Sequence, residues 1–238
     1  NVLKIKKNNK DQNYIKVCGK NYLDPLKINV GGDPSTAAFF TALTLLTPNA
    51  HLEIKHVGLN PRRIGFYNLL KKHGAKIKFK NIKKINNEDV GNIEVQSSKL
   101  KAIIASADYY GSATDEYPIL FVIAALTKGT SIFKGIEDLA NKESNRIEEM
   151  KKILNKINIK CQTTKNEMKI FGTREIKKKN TIIKVPNLGD HRICMSTVIL
   201  SLVTGIQAEI KNFETVRTSS PSFLEIIKLL GGKFEIKK

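Results

Sequence analysis

One ordered pattern recurs three times along this chain: an apolar helix, a Thr or Gly turn, a short alternating strand, a loop, an amphipathic helix and a final strand. In the first copy, Ala37 to Leu46 is apolar nearly all round, and Thr47-Pro48-Asn49-Ala50 turns it into the alternating segment His51 to Val57. The helical spacing of Ile64 to Lys72 follows, closed by Gly74 before the strand Lys76-Ile77-Lys78-Phe79. In the second copy, Tyr117 to Leu126 ends at Thr127-Lys128-Gly129, Thr130-Ser131-Ile132-Phe133 reads as a strand, and a helix from Arg146 to Ile157 leads to a strand near Ile159. In the third, Ile193 to Val203 turns at Thr204-Gly205 into Ile206 to Ile210; a helix Phe223 to Leu230, the pair Gly231-Gly232 and a strand Lys233-Phe234-Glu235-Ile236 complete it. The turn threonines Thr47, Thr127 and Thr204 are nearly evenly spaced, with a period too long for a short-unit solenoid, so three similar α/β modules are expected.

A helix that is hydrophobic on all sides must be buried, whereas one with a single apolar stripe lies on the surface, and each copy pairs one of each kind. The fold class implied is α/β (α+β), with three buried helices packed together and wrapped by short mixed sheets and outer helices. Gly74, Gly129, Gly205 and Gly231 fall where caps or turns need positive φ.

The 41% hydrophobic and 26% charged content over 238 residues belongs to the globular class. No apolar run reaches the ~18 residues of a membrane span, and the first residues carry no signal-peptide pattern, so a cytoplasmic protein without membrane attachment is expected. Cys18, Cys161 and Cys194 have neither disulfide-framework nor zinc-ligand spacing, and no metal is expected. A net charge of +19 suggests a polyanion partner. Much of the lysine, however, lies in what read as polar connectors, Lys6 to Lys10, Lys80 to Lys84 and Lys177 to Asn180, without interleaved aromatics for stacking on bases. Nucleic acid is therefore not expected as a partner, although a basic background attracts small anions. The chain opens at Asn1, already in strand-like alternation, and reads as a fragment or processed product.

Each buried helix is preceded by an aspartate: Asp33, Asp115 and Asp190. Such residues cap helices, yet three helix N-termini at one end of a bundle would also concentrate positive dipole ends into an anion site. Arg192, in the first turn of a buried helix, fits either a bound anion or an ion pair with Asp190. His191 fits a general acid or base, or an ordinary hydrogen-bonding residue. In Asp138-Leu139-Ala140-Asn141-Lys142-Glu143-Ser144-Asn145-Arg146, Glu143 lies four residues before Ile147 of the stripe Ile147, Met150, Leu154, Ile157. Helical continuation would turn it inward toward a cleft, flanked by the cations Lys142 and Arg146 at the unfavourable end of the helix dipole. The candidate site is therefore Asp115, Lys142, Glu143, Arg146 and Arg192.

Lys142-Glu143-Ser144-Asn145-Arg146 resembles the Lys-Glu-Ser/Thr-Asp-Arg motif of the 3-phosphoshikimate enolpyruvyl transferase family, and Asp190-His191-Arg192 resembles its Asp-His-Arg motif. Gly32 to Phe39, Leu59-Asn60-Pro61-Arg62-Arg63 and Asp115-Glu116-Tyr117-Pro118 agree in the same order, over nearly the whole chain. The resemblance implies two domains of three βαβαββ-type modules each, with buried parallel helices and a substrate cleft between them. Residues 1–29 are expected to be a terminal hairpin of the N-terminal domain and 30–238 the C-terminal domain, with modules at roughly 30–95, 96–172 and 173–238. On that basis this chain carries half of an interdomain site, is inactive alone and is a monomer when complete.

The implied reaction moves the enolpyruvyl group of phosphoenolpyruvate to the 5-hydroxyl of shikimate 3-phosphate, releasing phosphate, in aromatic amino-acid biosynthesis, with no cofactor. Carried over by motif position, Asp115 binds the acceptor hydroxyls and assists deprotonation, Glu143 shuttles the proton at the methylene carbon, and Lys142 contacts the acceptor oxygen and the developing intermediate. Arg146 and Arg192 hold the carboxylate and phosphate of phosphoenolpyruvate, and Asp138 contacts shikimate 3-phosphate. Asn145 departs from the family's Asp, and Asp138 stands where relatives carry Asn or an acidic residue. The sister transferase acting on UDP-N-acetylglucosamine shares the implied fold but generally lacks both motifs, and a basic RNA-binding module of related fold is the rival outside catalysis.

Overall fold

The computed structural model describes residues 4–7, 13–16, 25, 27–176 and 181–236. The chain divides into two units, Asn1–Val30 and Gly31–Lys238. In the first, β1 (Lys4–Lys7) and β2 (Asn13–Lys16) pair antiparallel, with Lys4 opposite Lys16. Lys6 and Lys7 thus belong to a strand rather than a connector, extending the alternation that begins the chain. Cys18 and Lys177 to Asn180 lie outside the described residues.

The second unit is built from three β-α-β crossings, each with a buried helix as its crossover. The first has only a single parallel bridge, Gly32 to Val57, as its strand pair; α1 (Pro34–Leu46) runs between, and β3 (His51–Gly58) follows. An outer helix, α2 (Gly65–Lys72), then leads to the hairpin β4 (Lys76–Ile85) and β5 (Glu88–Gln96), which completes an antiparallel sheet of order β3-β5-β4. The second crossing starts at β6 (Ile104–Ala105), winds through α3 (Tyr110–Ala113) and α4 (Tyr117–Ala125), and returns as β7 (Gly129–Lys134), parallel to β6. After α5 (Arg146–Lys156), the strands β8 (Cys161–Thr163) and β9 (Glu167–Gly172) close a sheet of order β6-β7-β9-β8. In the third, β10 (Ile183–Val185) and β11 (Ala208–Ile210) pair in parallel across α6 (His191–Thr204), and α7 (Phe223–Leu229) lies outside.

Helices α1, α4 and α6 pack against one another pairwise, as their all-round apolarity requires. All nine residues of α4 are buried. Thr44, Thr127, Thr197 and Thr204 are admitted to this core because each hydroxyl donates to the carbonyl four residues earlier, at 2.7–2.9 Å. Gly205 caps α6 at φ 68°, and Gly74, Gly129 and Gly231 also have positive φ. Gly172 serves another purpose: a Cβ there would lie 2.0 Å from the Ala124 carbonyl oxygen and 2.1 Å from that of Thr127, so β9 reaches the end of α4 only without a side chain.

Three expectations are corrected. Lys80 to Lys84 is no connector: it lies within β4, where register shifts between Lys80 and Lys83 and Asn81 takes φ 52°. A bulge spoils the alternation by which a strand is recognised. The final elements of the first two copies are antiparallel pairs, β4-β5 and β8-β9, rather than single strands; the strand expected near Ile159 is β8, from Cys161. Lys233 to Ile236 forms no strand; no partner strand pairs with it among the described residues, and Phe234 and Ile236 are exposed.

Candidate active site

The N-terminal ends of the three central helices meet, and each is fitted differently. Asp33 caps α1, accepting from the Ser35 and Thr36 N–H groups at 3.2 and 2.9 Å, while Arg63 ties the same carboxylate and the Ser35 hydroxyl to the start of α2. Asp190 caps α6, accepting from the Arg192 and Ile193 N–H groups at 2.9 and 3.3 Å. Asp115 does not cap α4. The chain enters that helix through a tight turn, Thr114–Glu116, which leaves Glu116 at the cap position with no side-chain bond to the helix and sends Asp115 toward the basic residues.

Arg146 is the centre of the cluster. Its side chain is 2% exposed, yet three carboxylates face it: Asp190 at 3.0 Å from Nε, Glu143 at 2.5 Å from Nη2 and Asp115 at 3.7 Å from Nη1. Ser144 adds a hydroxyl bond to Asp190 at 2.9 Å. Burial pushes the Asp190 carboxyl upward, but the Arg146 guanidinium, Ser144 and the Ile193 N–H together outweigh it and hold the group below its ordinary value. Arg192 therefore pairs not with Asp190, whose side chain Arg146 has taken, but with Asp115 at 3.4 Å, while lying over the Phe39 ring at 6.0 Å. Nη1 of Arg146 and both Nε and Nη1 of Arg192 are buried with no hydrogen-bond partner among the described residues. Buried donors without acceptors are costly, and these two guanidiniums carry three such nitrogens.

The residues ahead of α5 correct the helical argument made for Glu143. Helix α5 begins only at Arg146, capped by Asn145, which accepts from the Glu148 N–H at 3.1 Å. Lys142, Glu143 and Ser144 lie in the preceding bend, so Glu143 is not turned inward by helical periodicity; its side chain is 44% exposed. It nevertheless joins the cluster, through Arg146 and through His191, whose Nδ1 lies 4.0 Å away. Burial, then the Arg192 charge, holds the His191 pKa below its ordinary value and favours the neutral imidazole. Asp115, Glu143, Arg146 and Arg192 are thus brought together. Lys142 and Asp138 form a neighbouring group: Nζ of Lys142 and the hydroxyl of Tyr110 both donate to Oδ2 of Asp138, at 2.8 and 2.7 Å.

Sequence reasoning passed over two residues here. Glu116 is 3% exposed, and its carboxyl is pushed up to about 7, first by burial, against the opposing Ser35 hydroxyl bond and the Arg192 and Arg63 charges. A small cavity of about 30 Å³ lined by Ser35, Arg63, Thr114, Asp115 and Glu116 lies beside it. Tyr110 is the other, and its only sequence signal was an aromatic pair, Tyr109-Tyr110, shortly before Asp115. A larger recess of about 370 Å³ at the β4-β5 bulge shares no lining residue with the cluster. Among the described residues no group of three His, Cys, Asp or Glu could hold a metal ion, and no helix is long and apolar enough to cross a membrane.

The family model for EPSP synthase (3-phosphoshikimate 1-carboxyvinyltransferase) matches residues 3–227. The chain belongs to the EPSP synthase family. A 3-phosphoshikimate 1-carboxyvinyltransferase of Zymomonas mobilis is 35% identical over 224 residues, covering 93% of this chain and 49% of the relative. One from Petrotoga mobilis is 39% identical over 199 residues, covering 84% of this chain and 45% of the relative. A solved EPSP synthase from Acinetobacter baumannii superposes with a TM-score of 0.84 at 31% identity, over 99% of this chain and 53% of that one. The chain therefore has an enolpyruvyl transferase fold and spans about half the length of the relatives it matches.

Proposed function

We propose that this chain supplies the site residues of an enolpyruvyl transferase that moves the carboxyvinyl group of phosphoenolpyruvate to the 5-hydroxyl of shikimate 3-phosphate. The observation that carries this is the pair of buried guanidiniums, Arg146 and Arg192, which lie in one cluster with Asp115 and Glu143 and keep donor nitrogens without a hydrogen-bond partner among the described residues. Forked donors suit the carboxylate and phosphate of phosphoenolpyruvate, and burial beneath that anion strengthens each contact. Asp115, held by both arginines, is the acceptor-side carboxylate and takes the proton of the attacking hydroxyl. Glu143 carries the proton to and from the methylene carbon, and its bond to Arg146 keeps it beside the donor. Lys142 stabilises the oxygen at which charge develops, and Asp138 contacts the acceptor. No metal or organic cofactor enters this scheme.

Within the same proposal, residues 1–29 are the terminal hairpin of a second domain and 30–238 a domain of three modules, and the protein works in the cytoplasm. The antiparallel pairing of β1 with β2 supports the first part. The test measures phosphate release from phosphoenolpyruvate by the chain, alone and combined with the portion of the Zymomonas mobilis relative that it does not match. Release with shikimate 3-phosphate and none with UDP-N-acetylglucosamine is expected. Failure with shikimate 3-phosphate in both arrangements rejects the assignment.

A further inference from the structure

Lys142 and Asp138 are four residues apart in an exposed turn, and such a pair on its own holds neither side chain firmly. What distinguishes this one is a third residue brought in from another element. Tyr110 stands at the first position of α3, and its ring packs on Tyr117, at 5.7 Å between centroids and 38° between planes. Tyr117 is fully buried at the start of α4, so the Tyr110 ring is set against the rigid core of the fold. From that anchor the phenol hydroxyl reaches the Asp138 oxygen that also receives Lys142.

We infer that Tyr110 is a positioning residue of the acceptor side, fixing the Asp138 carboxylate so that Lys142 is held in one place as a permanent cation; this rests on the function proposed above. An ammonium has three donors, so one given to Asp138 leaves two for oxygens of a bound acceptor. The Lys142 bond, then the Tyr110 bond, holds the Asp138 carboxyl below its ordinary range, and the Asp138 bond raises the Lys142 amine above its own. A lysine so placed stabilises developing negative charge on the attacking oxygen and is a poor proton acceptor. Proton removal is thereby left to Asp115. The Asp at position 138 matters here, because an Asn in its place would accept the same phenol bond but offer Lys142 no charge.

The test compares the chain with its Tyr110→Phe variant, which loses only the hydroxyl and keeps the ring stack. Reactivity of each lysine toward acetic anhydride is followed against pH, with the peptide carrying Lys142 resolved by mass spectrometry. In the unaltered chain the Lys142 midpoint lies above the ordinary value of a lysine amine; in Tyr110→Phe it falls toward that value, and in Asp138→Asn it reaches it. Turnover assayed with the complementary part of a relative supplies a second readout: Tyr110→Phe lowers kcat about tenfold with a smaller change in KM for the acceptor. An unmoved Lys142 midpoint in Tyr110→Phe overturns the inference even if the enzyme works. A lowered midpoint upholds the positioning even if phosphate release fails with every acceptor, a failure that would count against the proposed reaction alone, whereas a raised midpoint overturns it.

Discussion

Replacing Glu116 with Gln changes how stability depends on pH, and the structure sets both sign and size. The Glu116 carboxyl titrates at about 7 in the folded chain against an ordinary value of 4.5, because it is 3% exposed and the Ser35, Arg63 and Arg192 interactions only partly offset its desolvation. A raised carboxyl means that the folded state binds this proton more tightly than the unfolded state. Its contribution is therefore fully present below pH 4.5, falls as pH rises toward 7 and is gone above it. At about 1.4 kcal/mol per pH unit, the swing is about 3 kcal/mol. A neutral Gln fits the same place without titrating. His191 responds in the opposite sense, since its depressed pKa makes protonation below 6.5 destabilising, but that contribution is common to both proteins and cancels in the difference. Urea unfolding of the chain and of Glu116→Gln at closely spaced pH values gives that difference directly. Relative to the unaltered chain, the variant gains about 3 kcal/mol between pH 4.5 and 7.5 and no more beyond. A difference that stays flat across this interval refutes the dominance of burial over the Ser35, Arg63 and Arg192 interactions at the Glu116 carboxyl.

Other consequences can be checked in parallel. Asp190→Ala removes a cap and leaves the Arg146 charge buried without its one fully buried carboxylate partner among the described residues, and is expected to cost about 3–5 kcal/mol in unfolding experiments. Gly172→Ala forces a methyl onto two backbone oxygens and should cost about 1–3 kcal/mol or more, whereas Gly111→Ala, where nothing lies within 4 Å, should change stability by less than about 1 kcal/mol. In steady-state assays Arg192→Ala raises KM for phosphoenolpyruvate roughly 10- to 100-fold with a smaller effect on kcat. Glu143→Gln lowers kcat about 100-fold or more with donor affinity nearly kept; the reverse pattern would overturn this division of roles.

The architecture was legible wherever hydrophobic patterning alone decides structure. Helices that are apolar all round, such as Tyr117 to Ala125, have no alternative to burial, and the repeat spacing then implies that three of them pack together. Strands were less legible. The bulged part of β4, Lys80 to Lys84, reads as a polar connector although Lys76 to Phe79 reads as a strand, and Lys233 to Ile236 alternates like a strand but has none to join among the described residues. At the site, the motif residues Asp115, Glu143, Arg146 and Arg192 do converge, but their pairing could not be read from spacing. Neighbourhood in sequence suggested Asp190 with Arg192, whereas the fold gives Asp190 to Arg146, 44 residues away, and Asp115 to Arg192, 77 residues away. Periodicity also extended α5 one turn too far, because Asn145 caps it before Glu143 can become helical. Glu116 and Tyr110 act through burial and tertiary contact, which the linear order of residues does not reveal.

The most direct test of the proposed chemistry at this helix-end cluster is deuterium incorporation at the vinyl methylene during turnover in D2O. Addition across the double bond of phosphoenolpyruvate places a solvent-derived proton on its methylene carbon, and elimination then removes one of three hydrogens there. With Glu143 as the shuttle, the product of the unaltered enzyme should carry deuterium in its vinyl group, and Glu143→Gln should lose incorporation and phosphate release together. Phosphate release without deuterium in the vinyl group, or incorporation that survives Glu143→Gln at the full rate, would contradict the assignment.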